Sequence, residues 1–392
     1  MTFKIIDNER KARIKVVGVG GAGGNAINRM IQSGMHGVEF IAINTDAQVL
    51  ETSSADACLC IGDGITRGLG AGADPQVGRQ AIEEDRDKVA ERLSDADLVF
   101  ITAGLGGGTG TGAAPVVAEI ARELGALAVG IVTEPFVMEG FPRMRNAHTG
   151  LAELQERVDT LITIKNQRLL TICERDTTLD EAFFLADEVL MQATRGIADL
   201  ITIPGMINLD FNDVKTIISQ GGDAIMGVGT HKGENRAVEA ARKAIQSPLL
   251  EDVSIHGAKG VLINIAADSN LTLFEVNDAM QLIHEAAGQE ANIIFGTVKE
   301  DQMLDEISVT VIATGFNLSK EGRGPGQQEK LGEVRNEATA REVAGVQPVD
   351  PQLNVPAHVR RRASVGESEV APGQAATNEN LDIPTFLRRK LG

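Results

Sequence analysis

Apolar runs and amphipathic stretches alternate along the first half of the chain. Residues 13–20, RIKVVGVG, alternate into a strand, and GGAGGNAINRMI turns into a helix with Ile27, Met30 and Ile31 on one side. A strand over 38–43 follows. Next come ACLCIG, the loop RGLGAGADP, a helix over 76–93, the apolar run 96–103, a second glycine-rich loop, a helix over 113–124 and LAVGIVTEPF. This alternation predicts an α/β fold, a parallel sheet with helices on both faces. Ligands then belong at the carboxyl ends of the strands.

Residues 178–201 read as one long helix. Thr178 and Glu181 form a capping box, and Leu185, Ala186, Val189, Leu190, Ala193, Ile197 and Leu200 recur at helical spacing. About 23 residues at a rise of 1.5 Å span roughly 35 Å, the width of a small domain. Pro204-Gly205 breaks the pattern before NLDFND. From about 205 to 316, DAIMGVGT, GVLINIAA, NIIFGTV and ISVTVIATGF alternate with helices over 235–246 and 272–287. A second, smaller α/β or α+β domain is expected there. After Phe316 the pattern stops: residues 317–380 hold no aromatic and no Ile, and read as a disordered linker. As a flexible coil it would reach roughly 45 Å. The chain ends in LDIPTFLRRKLG, where Ile383, Phe386 and Leu387 lie beside Arg388, Arg389 and Lys390. Such a tip reads as a recognition peptide or a weak membrane contact.

Composition narrows the functional classes. With 37 basic and 55 acidic residues in 392, the net charge is −18, which argues against nucleic acid as a partner. Any polyanion must be held by local loops. No run approaches eighteen apolar residues and no leader pattern opens the chain, so no membrane span is expected and a cytosolic protein is. Three cysteines suit a reducing compartment, and Cys58 and Cys60 alternate as one face of a buried strand would. The six histidines form no HExxH, and no metal site is assigned.

The chemistry concentrates at 105–112, LGGGTGTG. Glycines there leave backbone N–H groups uncovered and admit positive φ, while Thr109 and Thr111 add hydroxyls. Between a buried strand and a helix, this is a phosphate cradle. No GxxxxGK[ST] occurs, so the loop is not of the Walker type. Gly18, Gly20 and Gly23 satisfy GxGxxG, and Asp46 lies about where a dinucleotide enzyme keeps its ribose-binding acid. That leaves a nicotinamide-dependent oxidoreductase as the alternative, weakened by the second glycine loop.

With both glycine loops, the long helix and NLDFND in place, the chain is similar to the tubulin/FtsZ family of GTPases, over about 13–316 and again at 381–390. GGGTGTG at 106–112 matches the superfamily signature, whereas NLDFND and LDIPTFLRRK match the bacterial cell-division branch. The resemblance implies a GTPase that polymerises head to tail into septal-ring filaments, cytoplasmic and at the division site on the inner face of the membrane. It divides the chain into an extension (1–12), a Rossmann-like GTP-binding domain (13–177), a central helix (178–203), a GTPase-activating domain (204–316), a linker (317–380) and a C-terminal peptide (381–392). That peptide would meet membrane tethers such as FtsA, and division regulators are further implied partners. GTP or GDP is the implied ligand, with Mg2+ expected beside the triphosphate.

Carried over residue by residue, the resemblance places the nucleotide on Gly21, Ala22, Gly23, Gly24, Asn25 and Asn44, and its phosphates on Gly107, Gly108, Thr109, Gly110 and Thr111. Glu139 and Arg143 fall at the ribose, and Asn166 and Asp187 at guanine. A carboxylate suits guanine, whose N1–H and exocyclic amine are both donors. Phe183, a turn earlier, stacks on the base or packs in the core. Asn208, Asp210 and Asp213 fall at the catalytic positions, supplied to a neighbouring subunit. Their plain alternative role is to cap the helix that follows. The chain departs from the family pattern at Glu134, where lysine is common, at Phe141-Pro142, and in IKNQR where IPNDR is usual.

Overall fold

The computed structural model describes residues 12–250, 255–300 and 303–316. The linker, the C-terminal peptide and all of the N-terminal extension but Ala12 lie outside the described residues.

β1 (Ile14–Val19), β2 (Val38–Asn44), β3 (Ala57–Cys60), β4 (Leu98–Gly104), β5 (Leu127–Glu134) and β6 (Thr160–Lys165) pair in parallel in the order β3-β2-β1-β4-β5-β6. Their connections carry α1 (Gly20–Gln32), α2 (Ala47–Glu51), α3 (Asp63–Thr66), α4 (Pro75–Glu84), α5 (Arg86–Leu93), α6 (Thr109–Glu123) and α7 (Phe141–Gln155). After β6 come α8 (Asn166–Leu169), the long helix α9 (Leu179–Thr202) and α10 (Phe211–Ile218). The second half is β7 (Asp223–Lys232), α11 (Arg236–Ile245), β8 (Gly260–Ala267), α12 (Leu273–Ala287), β9 (Asn292–Lys299) and β10 (Glu306–Phe316).

One ten-stranded sheet runs through both halves, continuing β6-β7-β10-β8-β9. Its seam is narrow: β6 and β7 pair only at Leu161 with Asp223 and Ile162 with Ala224. Beyond it β10 runs antiparallel to β7 and β8, so the sheet is mixed, as the α+β reading of the second region allowed. Because strands alternate their side chains, each face feeds a different core. Val16 and Phe100 join α1 and α9 in a core that also takes in Met226, Leu262 and Ile312 of the second half. Val17 and Ile101 join α4 to α7 on the opposite face. A third core packs α11 and α12 on the outer strands. Strands covered on both faces need apolar residues at successive positions, which is why β1, β4 and β5 read as near-continuous apolar runs.

Three local expectations are corrected. The helix expected over 76–93 is two helices, broken at Asp85, whose buried carboxylate accepts a hydrogen bond from the Gly62 N–H at 2.8 Å and pairs with Lys88 at 2.5 Å. A side chain tied to a distant loop competes with helical continuity. The helix expected from 113 starts four residues earlier, inside the glycine loop itself, at Thr109. Cys58 and Cys60 are exposed rather than buried, because β3 is an edge strand that turns Ala57 and Leu59 inward.

Candidate functional site

Two helices begin at one place. α1 opens at Gly20, whose φ is +74, and α6 opens after Gly108; neither has a side-chain cap or an acidic residue in its first turn. The first N–H groups of a helix have no partner within it, and they carry the positive end of its dipole. The two openings touch: a Cβ on Gly20 would lie 2.8 Å from the Gly110 backbone nitrogen. Two uncapped N-termini meeting in one cavity form an anion site made from main chain, the arrangement a −18 protein needs to hold phosphates.

The glycine loop works less through unusual dihedrals than through close approach. Of its five glycines only Gly106 has positive φ, at +102. Gly108 is pressed instead against the 71–74 loop, where a Cβ would meet the Ala71 Cβ at 2.8 Å and the Asp74 nitrogen and oxygen at 3.0 Å. The threonine hydroxyls are partly spent inside the fold. Thr111 Oγ1 accepts a hydrogen bond from the Gly106 N–H at 2.8 Å, and the Thr109 and Thr45 hydroxyls bond at 2.7 Å.

The cavity, of about 320 Å³, runs from these loops to the start of α9. Its lining includes Gly21, Ala22, Gly107, Gly108, Thr109, Gly110, Glu139, Arg143, Asn166, Phe183 and Asp187, so most of the expected nucleotide residues meet in one space. At the far end Asn166 Oδ1 is buried with no hydrogen-bond partner among the described residues. An orphaned buried acceptor fits a ligand that brings a donor. Asp187 is buried, and burial pushes its carboxyl above the ordinary range while Arg29, bonded to Oδ2 at 2.8 Å, pulls it back. Phe183 lies against Phe136 edge to face, with ring centroids 5.5 Å apart, and keeps its own outer surface partly exposed in the cavity. Glu139 accepts a hydrogen bond from the Phe136 N–H at 2.9 Å and pairs with Arg143 at 2.7 Å. Beside them Phe141 stands exposed, and Glu134 is buried at the end of β5 in register with Lys165.

Five expected residues do not line this cavity. Gly24, Asn25 and Asn44 line an adjoining cleft with Gly18 and Gly20. Asn44 Oδ1 accepts hydrogen bonds from the Thr45 and Asp46 N–H groups, which shapes the turn after β2. Gly23 lets α1 pack on β4, since a Cβ there would sit 2.5 Å from the Thr102 carbonyl oxygen. Thr111 serves through Gly106, as above. Conversely, Gly104, Thr133 and Pro135 line the cavity unforeseen, because they lie at strand ends whose position depends on the sheet order.

Asn208, Asp210 and Asp213 lie elsewhere, beyond the C-terminal end of α9. Asn208 Oδ1 accepts a hydrogen bond from the Gly205 N–H at 2.6 Å. Thr297 of β9 anchors the same loop: its hydroxyl accepts from the Ile207 N–H at 2.9 Å, and its own N–H donates to the Ile207 carbonyl at 3.1 Å. Asp210 caps α10, accepting from the Asp213 N–H at 2.8 Å. All three side chains are exposed. From Asp187 to Thr202 the helix axis advances roughly 22 Å, so these carboxylates cannot reach the cavity of their own chain.

Among known families, residues 13–174 match the GTPase domain of the tubulin/FtsZ family, and residues 222–317 match the C-terminal domain of the FtsZ family. An empty FtsZ dimer from M. jannaschii is similar at 45% identity, with a TM-score of 0.76 over 79% of this chain and 90% of that one. Two proteins of Haloferax volcanii share the fold at 21% identity and a TM-score of 0.68. They are CetZ1 as a GDP-bound monomer, over 83% of this chain and 99% of that one, and CetZ2 as a GTPγS-bound protofilament, over 84% and 99%.

Proposed function

We propose that this chain, which belongs to the tubulin/FtsZ family and is a GTP-binding GTPase of the FtsZ kind, builds the bacterial division ring by head-to-tail assembly, each copy completing the active site of the next. The observation that carries this reading is the separation along α9. The binding residues gather at one end and the carboxylates of Asp210 and Asp213 stand exposed at the other. When copies stack along that axis, the second end of one faces the cavity of its neighbour.

In this reading Gly107, Gly108, Thr109 and Gly110, with Gly21 and Ala22, hold the phosphates through main-chain N–H groups. Glu139 and Arg143 hold the ribose side, and Asn166 and Asp187 accept the guanine donors. Asp210 and Asp213 of the adjacent copy orient water toward the γ-phosphate, and Asn208 shapes the loop that presents them. Magnesium would supply charge neutralisation to the triphosphate. Among the described residues no cluster of three or more His, Cys, Asp or Glu could hold a metal. The functional units are taken as 13–177, 178–203 and 204–316. Among the described residues no helix is long and apolar enough to cross a membrane. In this reading the protein is cytoplasmic and reaches the division site through its 381–390 peptide and a tether such as FtsA. Deleting 381–392 should abolish binding to that tether and leave GTP turnover within about twofold.

The test is Asp213→Ala. The variant should bind GTP within a few-fold of the parent and assemble, yet release little phosphate. In the parent, turnover per molecule should rise with protein concentration above a threshold. Mixing Asp213→Ala with Gly108→Val, each inactive alone, should restore turnover, because one interface then joins an intact cavity to intact carboxylates. Full turnover by Asp213→Ala at concentrations too low for assembly would overturn the split site. Filaments of the parent that release no phosphate would point to a scaffold instead.

A further inference from the structure

We propose that Arg29 is a positioning residue for purine recognition: it holds the Asp187 carboxylate in the orientation that accepts both edge donors of guanine, and so sets the preference for guanine over purines lacking the 2-amino group. This rests on the reading of Asn166 and Asp187 as the base-contacting pair.

The geometry is specific. Arg29 projects from α1, and its Nε donates to Asp187 Oδ2 at 2.8 Å across 158 positions of sequence. Its guanidinium carbon also lies 4.1 Å from the centroid of the Phe184 ring. A cation held over an aromatic face keeps its plane, so Arg29 is fixed at two points and transmits that fixity to the carboxylate. Among the described residues the Asp187 side chain makes no other hydrogen bond or ion pair, which leaves Oδ1 and a second lone pair on Oδ2 for the two donors of a ligand in the cavity. Asn166 Oδ1 is a second unpartnered acceptor in the same lining.

The other charged groups on elements around Asp187 do not substitute for Arg29. Glu139 and Arg143, across the cavity, are paired with each other. Glu188 neighbours it on α9 and accepts from Gln192. Glu134 and Lys165 end β5 and β6, and Arg168 lies on α8, each with interactions of its own. Among the described residues Arg29 is the one cation on the carboxylate, and it opposes the burial that favours protonation. Without it Asp187 takes up a proton at higher pH. A neutral carboxyl donates through one oxygen and no longer accepts two donors.

The experiment compares GDP with IDP, which lacks the 2-amino group, by calorimetry from pH 5.5 to 8.5. The full-length parent should favour GDP on the order of 10- to 100-fold, the worth of a hydrogen bond to a charged group. In Arg29→Gln the GDP/IDP ratio at pH 7.5 should collapse to about threefold or less, and the pH at which the ratio falls should move upward. Arg29→Lys should recover part of the ratio. Phe184→Leu, which leaves the ion pair and removes the ring beneath it, should shift the ratio the same way by less. Affinity for the shared phosphate portion should change little. A GDP/IDP ratio and pH profile unchanged in both Arg29→Gln and Phe184→Leu would overturn the proposal while leaving the guanine reading intact. A parent that binds GDP, IDP and ADP alike would overturn both.

Discussion

At the cavity end of α9, backbone is fixed by backbone. Gly20 meets Gly110, Gly108 meets the 71–74 loop, and Gly78 of α4 approaches the Gly108 carbonyl closely enough that a Cβ would stand 2.5 Å from its oxygen. At the other end Asn208, Asp210 and Asp213 are exposed, and they bond within their own loop and helix cap. The first end gathers the lining of its cavity within one chain. The second presents chemistry with nothing of its own to act upon. Binding and turnover should therefore respond to different substitutions, and each variant below asks whether they do.

Gly108→Val gives the largest expected effect. The branched side chain must displace Ala71 and Asp74 or distort the start of α6, and either change breaks the alignment of the two helix openings. Calorimetry should find GDP affinity lowered by about 100-fold or more, several kcal/mol by the usual conversion. Affinity retained within a few-fold would show that the cradle lies elsewhere.

Gly205→Ala probes the second end. A Cβ at this position would overlap the Thr297 carbonyl oxygen, so the loop must move off β9. Overpacking of this kind costs about 1–3 kcal/mol, here spent on the loop that presents Asp210 and Asp213. Turnover should fall about tenfold with GDP affinity within twofold. Equal losses in both would mean that the two ends are coupled through α9.

Asp199→Asn tests the helix between them, with the smallest effect on nucleotide chemistry. Burial raises the Asp199 carboxyl to about 6, with Arg195 pulling it back and Glu300 adding to the rise. Its unfolded value is about 3.9, so the folded state binds the proton more tightly and stability falls as pH rises from about 4 to 6. The full penalty, at most about 2–3 kcal/mol, applies above pH 6. Urea unfolding should show the Asn variant level with the parent near pH 4 and more stable at pH 7, with GDP binding unchanged. A stability difference independent of pH would reject the assignment.

How much of this was legible in the chain follows from the range of each interaction. The glycine loop, the strand and helix alternation and α9 announce themselves locally, through periodicity and a capping box that the structure retains at Thr178 and Glu181. The Arg29–Asp187 bond and the Thr297 anchor join residues far apart in sequence, and neither leaves a periodic trace. Thr111 was expected to serve the ligand but is bonded to Gly106, since a hydroxyl in a tight turn finds backbone first. The exposed cysteines of β3 follow a similar rule: alternation tells that two residues share a face, but only sheet order tells which face is covered.

The place of α9 in one core drawn from both halves of the sequence bears on how the chain is made. Part of that core, from α1 and β1 to β6, precedes α9 in sequence and has been synthesised when α9 leaves the ribosome. The rest of the core comes later. Gly196 rests on Thr310 and Leu200 on Gly296, and both partners are synthesised only after Thr202. At about 5–20 residues per second, the delay until β10 emerges is on the order of ten seconds. For that time the nascent chain carries a partly uncovered apolar stripe beside the candidate cavity, a target for a chaperone and a hazard on a crowded polysome.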